Sequence, residues 1–197
     1  MKIAIVKLSA LGDIIHAMVA LQFIKQEYPD CQIDWVVEEG FKGILENNPD
    51  INIIHTVNLK KVKQQKSLKL LFKEFKKIRQ FGRYDLVIDA QGLIKSAIVA
   101  KFIQSKKISG FDKNSIRESL ASALYQHKTF IAYDANTIDR NVKVICNPLG
   151  LEISSDAIIN KQPFLFSQRE ILLPSKPYAL FVIGSTWGSR NYPKEKF

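Results

Sequence analysis

Residues 2–16 read Lys2-Ile3-Ala4-Ile5-Val6-Lys7-Leu8-Ser9-Ala10-Leu11-Gly12-Asp13-Ile14-Ile15-His16, and this stretch decides the fold. Ile3 to Val6 form a short apolar run of the kind buried on both faces of a parallel sheet. Ile14, Ile15, Met18, Val19 and Phe23 then recur near helical spacing. A strand running directly into a helix opens an α/β unit, and in open α/β sheets the turn between them is where ligands bind. Gly12 is expected to close that turn, with Asp13 at the mouth of the helix. Asp13 has two readings. As an N-cap it satisfies free backbone N–H groups and suits the positive end of the helix dipole, worth about 1 kcal/mol. The same placement favours a charged carboxylate able to take a proton from a substrate hydroxyl. Local pattern does not choose between them.

Further along, Tyr28-Pro29-Asp30 makes a turn and Ile33, Trp35, Val36 and Val37 mark a second strand. A short helix over 41–47 stops at Asn48-Pro49, and 51–57 is a third strand. This β-α-β-α-β order implies a parallel sheet with right-handed crossovers. Residues 84–90 make a fourth strand, followed by the polar turn Asp89-Ala90-Gln91-Gly92 and a helix to about residue 103. A fifth strand is expected at 107–110, and helices at 115–125 and 136–149. The pattern loosens after Pro148-Leu149-Gly150. The expected organisation is a Rossmann-like domain over 1–150, a connecting segment over 151–174 and the beginning of a second domain over 175–197. There a strand at 178–183 leads to Gly184-Ser185-Thr186-Trp187-Gly188-Ser189-Arg190 and a helix start near Pro193. One strand and the first turn of a helix cannot bury a core, so the sequence reads as a piece of a longer protein.

The 197 residues are 46% apolar, ordinary for a chain with a real core. Met1-Lys2 leads straight into a strand rather than a signal peptide. No apolar run approaches the roughly 20 residues that span a bilayer. Cys31 and Cys146 lack metal-ligand spacing and are expected as free thiols. The net charge is +10, and ten basic residues against the single acid Glu74 place +9 of it between Leu59 and Arg83. So local a charge implies a polyanionic partner. Lys60, Lys61 and Lys63 are expected in a loop after the third strand. Leu68, Leu71, Phe72, Phe75 and Ile78 fall at helical spacing, so 67–81 reads as an amphipathic helix with lysines outward. It either packs on the sheet with a solvated cationic face or lies against a membrane surface.

The sequence has no P-loop, no G-x-G-x-x-G after a strand and no G-x-S-x-G elbow. His16, His55 and His127 lack metal-ligand spacing and read as packing or surface residues. Helix-turn-helix spacing and interleaved aromatic and basic stretches are missing, which counts against nucleic acid as the polyanion. Residue patterns alone thus leave open an enzyme working through Asp13 and a non-catalytic module that binds anionic lipid.

Five blocks in order resemble the lipopolysaccharide heptosyltransferases of glycosyltransferase family 9. They are Ile5-Val6-Lys7-x-Ser9-x-x-Gly12-Asp13-Ile14-x-His16, Asp34-Trp35-Val36-Val37-Glu38-Glu39-Gly40-Phe41, and Tyr84-Asp85-x-Val87-Ile88-Asp89-Ala90-Gln91-Gly92-Leu93-Ile94-Lys95-Ser96. Arg117-Glu118-x-Leu120-Ala121-Ser122 and Ser185-Thr186 with Arg190 and Pro193 complete the set. The second and third blocks are more similar to type I members than to type II. The resemblance implies a GT-B fold of two Rossmann-like domains facing a cleft. It implies transfer of L-glycero-D-manno-heptose from ADP-heptose to the first Kdo (3-deoxy-manno-octulosonic acid) of Kdo2-lipid A. The anomeric centre would invert, with no metal or other cofactor. Asp13 matches the general base, Gly12, Ser185, Thr186 and Arg190 match donor-binding positions, and Lys60, Lys61, Lys63, Gln91, Arg117 and Arg140 match acceptor-facing positions. Arg190 and Ser185 stand where relatives usually carry Lys and Thr, and Lys replaces Arg around 60–63. The implied location is the cytoplasmic face of the Gram-negative inner membrane, in peripheral contact with its anionic surface. Another GT-B sugar transferase is the nearest alternative. The fragment by itself is expected to be inactive.

Overall fold

A computed structural model describes residues 1–167 and 175–179. The chain forms two compact units, Met1–Ser167 and Gln168–Phe197. In the first, six parallel strands lie in the order β3-β2-β1-β4-β5-β6. They are β1 (Lys2–Val6), β2 (Gln32–Glu38), β3 (Ile53–Val57), β4 (Arg83–Asp89), β5 (Gln104–Phe111) and β6 (His127–Thr129). β1 pairs with β2 on one side and β4 on the other, and Ile3 to Val6 are fully buried, as an apolar central strand requires. Strand order reverses between β1 and β4, and ligands bind at such a switch point.

The first unit has six α-helices: α1 (Leu11–Glu27), α2 (Leu59–Gln65), α3 (Leu68–Ile78), α4 (Ile94–Phe102), α5 (Thr137–Cys146) and α6 (Ser155–Ile159). α1 packs with α5, and α3 packs with α4. Right-handed crossovers leave these two pairs on opposite faces. The core centres on β1, β2 and α1, where Trp35, Leu8, Ile14, Met18 and Ile24 are fully buried. On α3, Phe75 stacks on Phe102 at 4.2 Å and Ile78 is buried. Leu68 and Phe72 face solvent at 71% and 73% exposure. Among the described residues no helix is long and apolar enough to cross a membrane.

Several local expectations are corrected. Asp13 is not the N-cap. Helix α1 starts at Leu11 with Ala10 as its cap, and Asp13 at the third helical position accepts from Ala10 N (3.3 Å). Gly12 lies inside the first helical turn and needs no special backbone angle. Lys60, Lys61 and Lys63 are in helix α2 rather than a loop, because the Asn58 side chain accepts from Lys61 N and starts a helix there. Residues 115–125 form two 3₁₀ turns, Lys113–Ser115 and Ser119–Leu124, in place of an α-helix. The 41–47 helix is a 3₁₀ turn over Glu39–Ile44. β5 is longer than expected, and β6 adds a strand that residue pattern does not reveal. Residues 151–167 belong to the first unit: α6 buries Ile158, and Asn48 Nδ2 donates to Phe164 O (3.2 Å).

Both cysteines are buried free thiols, and burial pushes that of Cys146 up to about 12. His55 stacks on Phe81 and reaches the Asp34–Tyr84 pair, while His127 bonds Ser109. Asp34 is fully buried. Burial pushes its carboxyl up, but His55, Tyr84 and Lys2 outweigh that and hold it below the usual range. This contribution to stability is present above the ordinary carboxylate pKa and is lost on acidification through the lower folded value.

Gly110 lies against Tyr125, and a Cβ there would sit 2.5 Å from the ring. Gly110→Ala is expected to destabilise the protein by about 1–3 kcal/mol through overpacking. A Cβ on Gly12 meets nothing within 4 Å. Gly12→Ala is therefore expected to leave stability unchanged or raise it by up to about 1 kcal/mol. Urea unfolding of both variants tests the contrast.

Candidate active site

Every strand runs in the same sense, so all six carboxyl ends meet one edge. Asp13 follows β1, Gln91 and Gly92 follow β4, and Arg117 lies between the two 3₁₀ turns after β5. α5 supplies Arg140 and Asn141. These residues, with Lys7, Leu93, Phe111, Ile116 and Tyr133, line a crevice of about 210 Å³. Four expected site residues — Asp13, Gln91, Arg117 and Arg140 — are thereby brought together from separate parts of the chain.

The two strand ends are laced together. Lys7 N donates to Val36 O (3.1 Å) and Ala90 N to Val6 O (3.0 Å). The Gln91 side chain crosses the switch point, where its Oε1 accepts from Leu8 N (3.0 Å) and Ser9 N (3.1 Å). Gln91 thus holds the loop that leads to Asp13, and only its amide N–H groups remain for a ligand. Beneath it, fully buried Asp89 accepts from Tyr125 Oη (2.7 Å), Ser96 Oγ (2.9 Å), Gln91 N (2.9 Å) and Gly92 N (3.2 Å). Burial raises the Asp89 carboxyl above the usual range, against the pull of these donors. Gly92 has φ +70°, and a Cβ there would meet Ile116 at 2.6 Å.

The cations differ in setting. Arg117 is exposed at the rim. The Arg140 guanidinium donates to Ala132 O (2.8 Å) and Ser115 O (2.6 Å) and lies over the Phe111 and Tyr133 rings. It brings charge to the wall while fixing two loops. Residue pattern does not single out Lys7. It is nearly buried, and its Nζ donates to Ala90 O (2.8 Å). Burial pulls its pKa down to about 8, with Asp13 and Asp89 holding it up and Arg140 lowering it. Its signal was a lysine following four consecutive buried strand residues.

Lys60 and Lys63 line a second, larger concavity of about 770 Å³ at the same edge, with Ser9, Glu38, Glu39, Phe41, Asn58 and Lys95. Lys61 is exposed on α2 and does not line it. Lys60 N donates to Glu38 Oε1 (3.2 Å). Burial raises the Glu38 carboxyl. Among the described residues no three His, Cys, Asp or Glu side chains gather so as to hold a metal. Ser185, Thr186 and Arg190, and the strand and helix expected around them, lie outside the described residues.

Residues 71–197 match glycosyltransferase family 9 (heptosyltransferase). The whole chain is 39% identical to lipopolysaccharide heptosyltransferase 1 of Campylobacter coli, covering 58% of that protein. Over 98% of its length it is 31% identical to the Pseudomonas aeruginosa enzyme of the same name, covering 55% of it. Among solved structures, E. coli heptosyltransferase WaaC with ADP-2-deoxy-2-fluoro heptose superposes with a TM-score of 0.82 at 29% identity, over 99% of this chain and 62% of that one. The chain therefore spans about three fifths of the length of these relatives. E. coli ADP-heptose lps heptosyltransferase II shares the fold, with a TM-score of 0.56 at 18% identity over 73% of this chain and 40% of that one.

Tyr125→Phe removes the shortest donor to Asp89 and is expected to destabilise the protein by about 1–3 kcal/mol. Thermal or urea unfolding against wild type measures the loss.

Proposed function

The chain belongs to glycosyltransferase family 9, the heptosyltransferases, and on that footing we propose that the protein of which it is part moves L-glycero-D-manno-heptose from ADP-heptose to the first Kdo of Kdo2-lipid A. The observation that carries this reading is Asp13 in one crevice with Arg117, Arg140 and Lys7. A carboxylate among cations suits an acidic sugar that must be both bound and deprotonated. In the proposed step the acceptor O–H proton passes to the Asp13 carboxylate. The freed oxygen pair forms a bond to the anomeric carbon from the face opposite ADP. The bond from that carbon to the phosphate oxygen breaks, its electrons leave with ADP, and the centre inverts. No metal is assigned a part.

The donor side of the reading uses Gly12, Ser185, Thr186 and Arg190. Open space over Gly12 at the start of a 17-residue helix suits the close approach of a phosphate. Similarity to WaaC, a protein solved with ADP and with an ADP-heptose analogue, supports a nucleotide-sugar donor. Lys60 and Lys63 in the second concavity, with Lys61 beside them, are assigned to the more distant anionic groups of the acceptor.

A lipid-borne acceptor implies a membrane surface, and we assign α3 to that contact at the cytoplasmic face of the inner membrane. Exposed Leu68 and Phe72 are bordered by exposed Lys69, Lys73 and Lys76. Glu74, the one acid in the segment, turns inward to accept from Asn58 N (3.1 Å). An apolar pair within a cationic collar fits an anionic lipid interface.

Asp13→Asn keeps an acceptor for Ala10 N and removes the base. In the full-length protein it is expected to lower kcat by about 10²–10⁴-fold with little change in acceptor KM. Measurement with ADP-heptose and Kdo2-lipid A tests this, and an Asn variant that keeps its turnover contradicts it. The double variant Leu68→Ser/Phe72→Ser is expected to weaken binding to phosphatidylglycerol-containing vesicles by at least about tenfold. Sedimentation with such vesicles measures it, and unchanged binding removes α3 from the contact.

A further inference from the structure

The two faces of the sheet differ in charge. α3, α4 and the 3₁₀ turns after β5 lie on one face, because their crossovers all move the same way along the sheet. Phe75 stacked on Phe102 joins α3 to α4. Ile94 N donates to Glu118 Oε2 (2.8 Å), which ties the start of α4 to the turn that carries Leu120. Over residues 68–78, 94–102 and 112–124, eight bases, all exposed, stand against three acids. Each acid is half-buried and accepts from a backbone N–H: Glu74 from Asn58, Asp112 from Asn114 and Glu118 from Ile94. α1 and α5 lie on the other face with α6, whose Ile158 shares a cavity with Val142 of α5. Those three helices carry four acids and three bases. Each face exposes one large aliphatic side chain away from α3, Leu120 at 74% and Ile159 at 72%. Arg117 and Lys113 stand three and seven residues before Leu120, whereas Asp156 and Glu152 stand three and seven before Ile159, and all four are exposed.

We propose that Leu120, with Ile94 beside it, makes a second contact with an anionic bilayer on the face that carries Leu68 and Phe72. This deepens the membrane reading of α3 above and rests on it. An apolar side chain among cations suits an anionic lipid surface, and one among carboxylates is repelled from it. Leu120 therefore belongs to the contact and Ile159 does not. α3 and α4 each end where the next strand begins, so Leu68 and Ile94 start them at the carboxyl edge of the sheet. Leu120 follows β5 at the same edge, and Arg117 just before it lines the crevice. Packed neighbouring elements lie about 8–10 Å apart, so two such steps set Leu120 about 20 Å from Phe72. A single helix lets a protein rock on a surface, whereas two contacts so far apart fix its tilt. Docked on both, the protein holds the rim of the crevice beside the lipid headgroups.

The test uses full-length protein and sedimentation with vesicles of phosphatidylglycerol and phosphatidylcholine. Leu120→Ser is expected to weaken binding by about 3–10-fold and Ile94→Ser/Leu120→Ser by about 5–30-fold, with Ile159→Ser within about twofold of wild type. Added to Leu68→Ser/Phe72→Ser, the Leu120→Ser loss should multiply the α3 loss, because the sites are distant. Leu120→Trp is expected to tighten binding by about threefold. A folded Leu120→Ser that binds like wild type overturns the second contact, as does an Ile159→Ser loss as large as that of Leu120→Ser. If Leu120→Ser fails to fold, Leu120→Trp decides, and unchanged binding overturns the contact. A Leu120→Ser change that breaks a dimer in solution and leaves vesicle binding intact assigns the patch to a second copy and also overturns it. Loss in the α3 variant with indifferent Leu120 variants overturns the second contact alone. Wild-type binding in the α3 and Leu120 variants together overturns the membrane reading itself.

Discussion

The Gln91 side chain reaching across from the end of β4 to Leu8 N and Ser9 N is the contact on which the rest depends. Parallel strands splay as they leave a sheet, and at the switch point the following helices diverge to opposite faces. The gap so opened is a ready ligand site, but its walls belong to segments about 80 residues apart in sequence. One amide oxygen taking two backbone N–H groups fixes their spacing. Asp89 fixes Gln91 in turn through the Gln91 backbone, and Tyr125 and Ser96 fix Asp89. The loop before Asp13 is thereby anchored to the core.

Two carboxylates at this edge have opposite assignments because their surroundings differ. Asp89 is fully buried, has four donors and is shut away from any ligand. Asp13 is half-buried, spends one weak contact on its own helix start and opens onto the crevice. The N-cap reading of Asp13 gives way to a contact from the third helical position, where the carboxylate accepts from Ala10 N and steadies the first turn of α1. Its place on the crevice is what the proposed general-base role uses. The surrounding cations divide similarly. Arg140 is tied to two carbonyls and shapes the wall, Arg117 is exposed at the rim, and Lys7 lies at the floor.

The central sheet was legible because consecutive β-branched and aliphatic residues have few alternatives to a buried parallel strand. Ile3–Val6 and Leu86–Ile88 state it plainly, and the β-α-β order then determines which edge carries the site. That logic put Asp13 and the Gln91 turn at one edge, whereas Arg117 and Arg140 were legible only through the family resemblance, and the structure brings all four to one crevice. Periodicity reports which face of an element is apolar, however, and says little about long-range polar partners. Lys7 follows a strand and looks like a surface lysine until Ala90 O is found beside it. α2 is so rich in lysine that its pattern reads as loop, although Asn58 is a helix-start signal. β6 spans three residues and depends on pairing with β5, which no local pattern can express.

The central claim is that Asp13 takes the proton from the acceptor. The most direct measurement is a crystal structure of the full-length protein with an unreactive donor analogue and a Kdo-containing acceptor. The account predicts one acceptor hydroxyl within about 2.6–3.2 Å of an Asp13 carboxylate oxygen, with the sugar's acid group turned toward Lys7 and Arg117. An acceptor ring seated elsewhere, with every hydroxyl beyond hydrogen-bond reach of Asp13 and no bridging water, would contradict it.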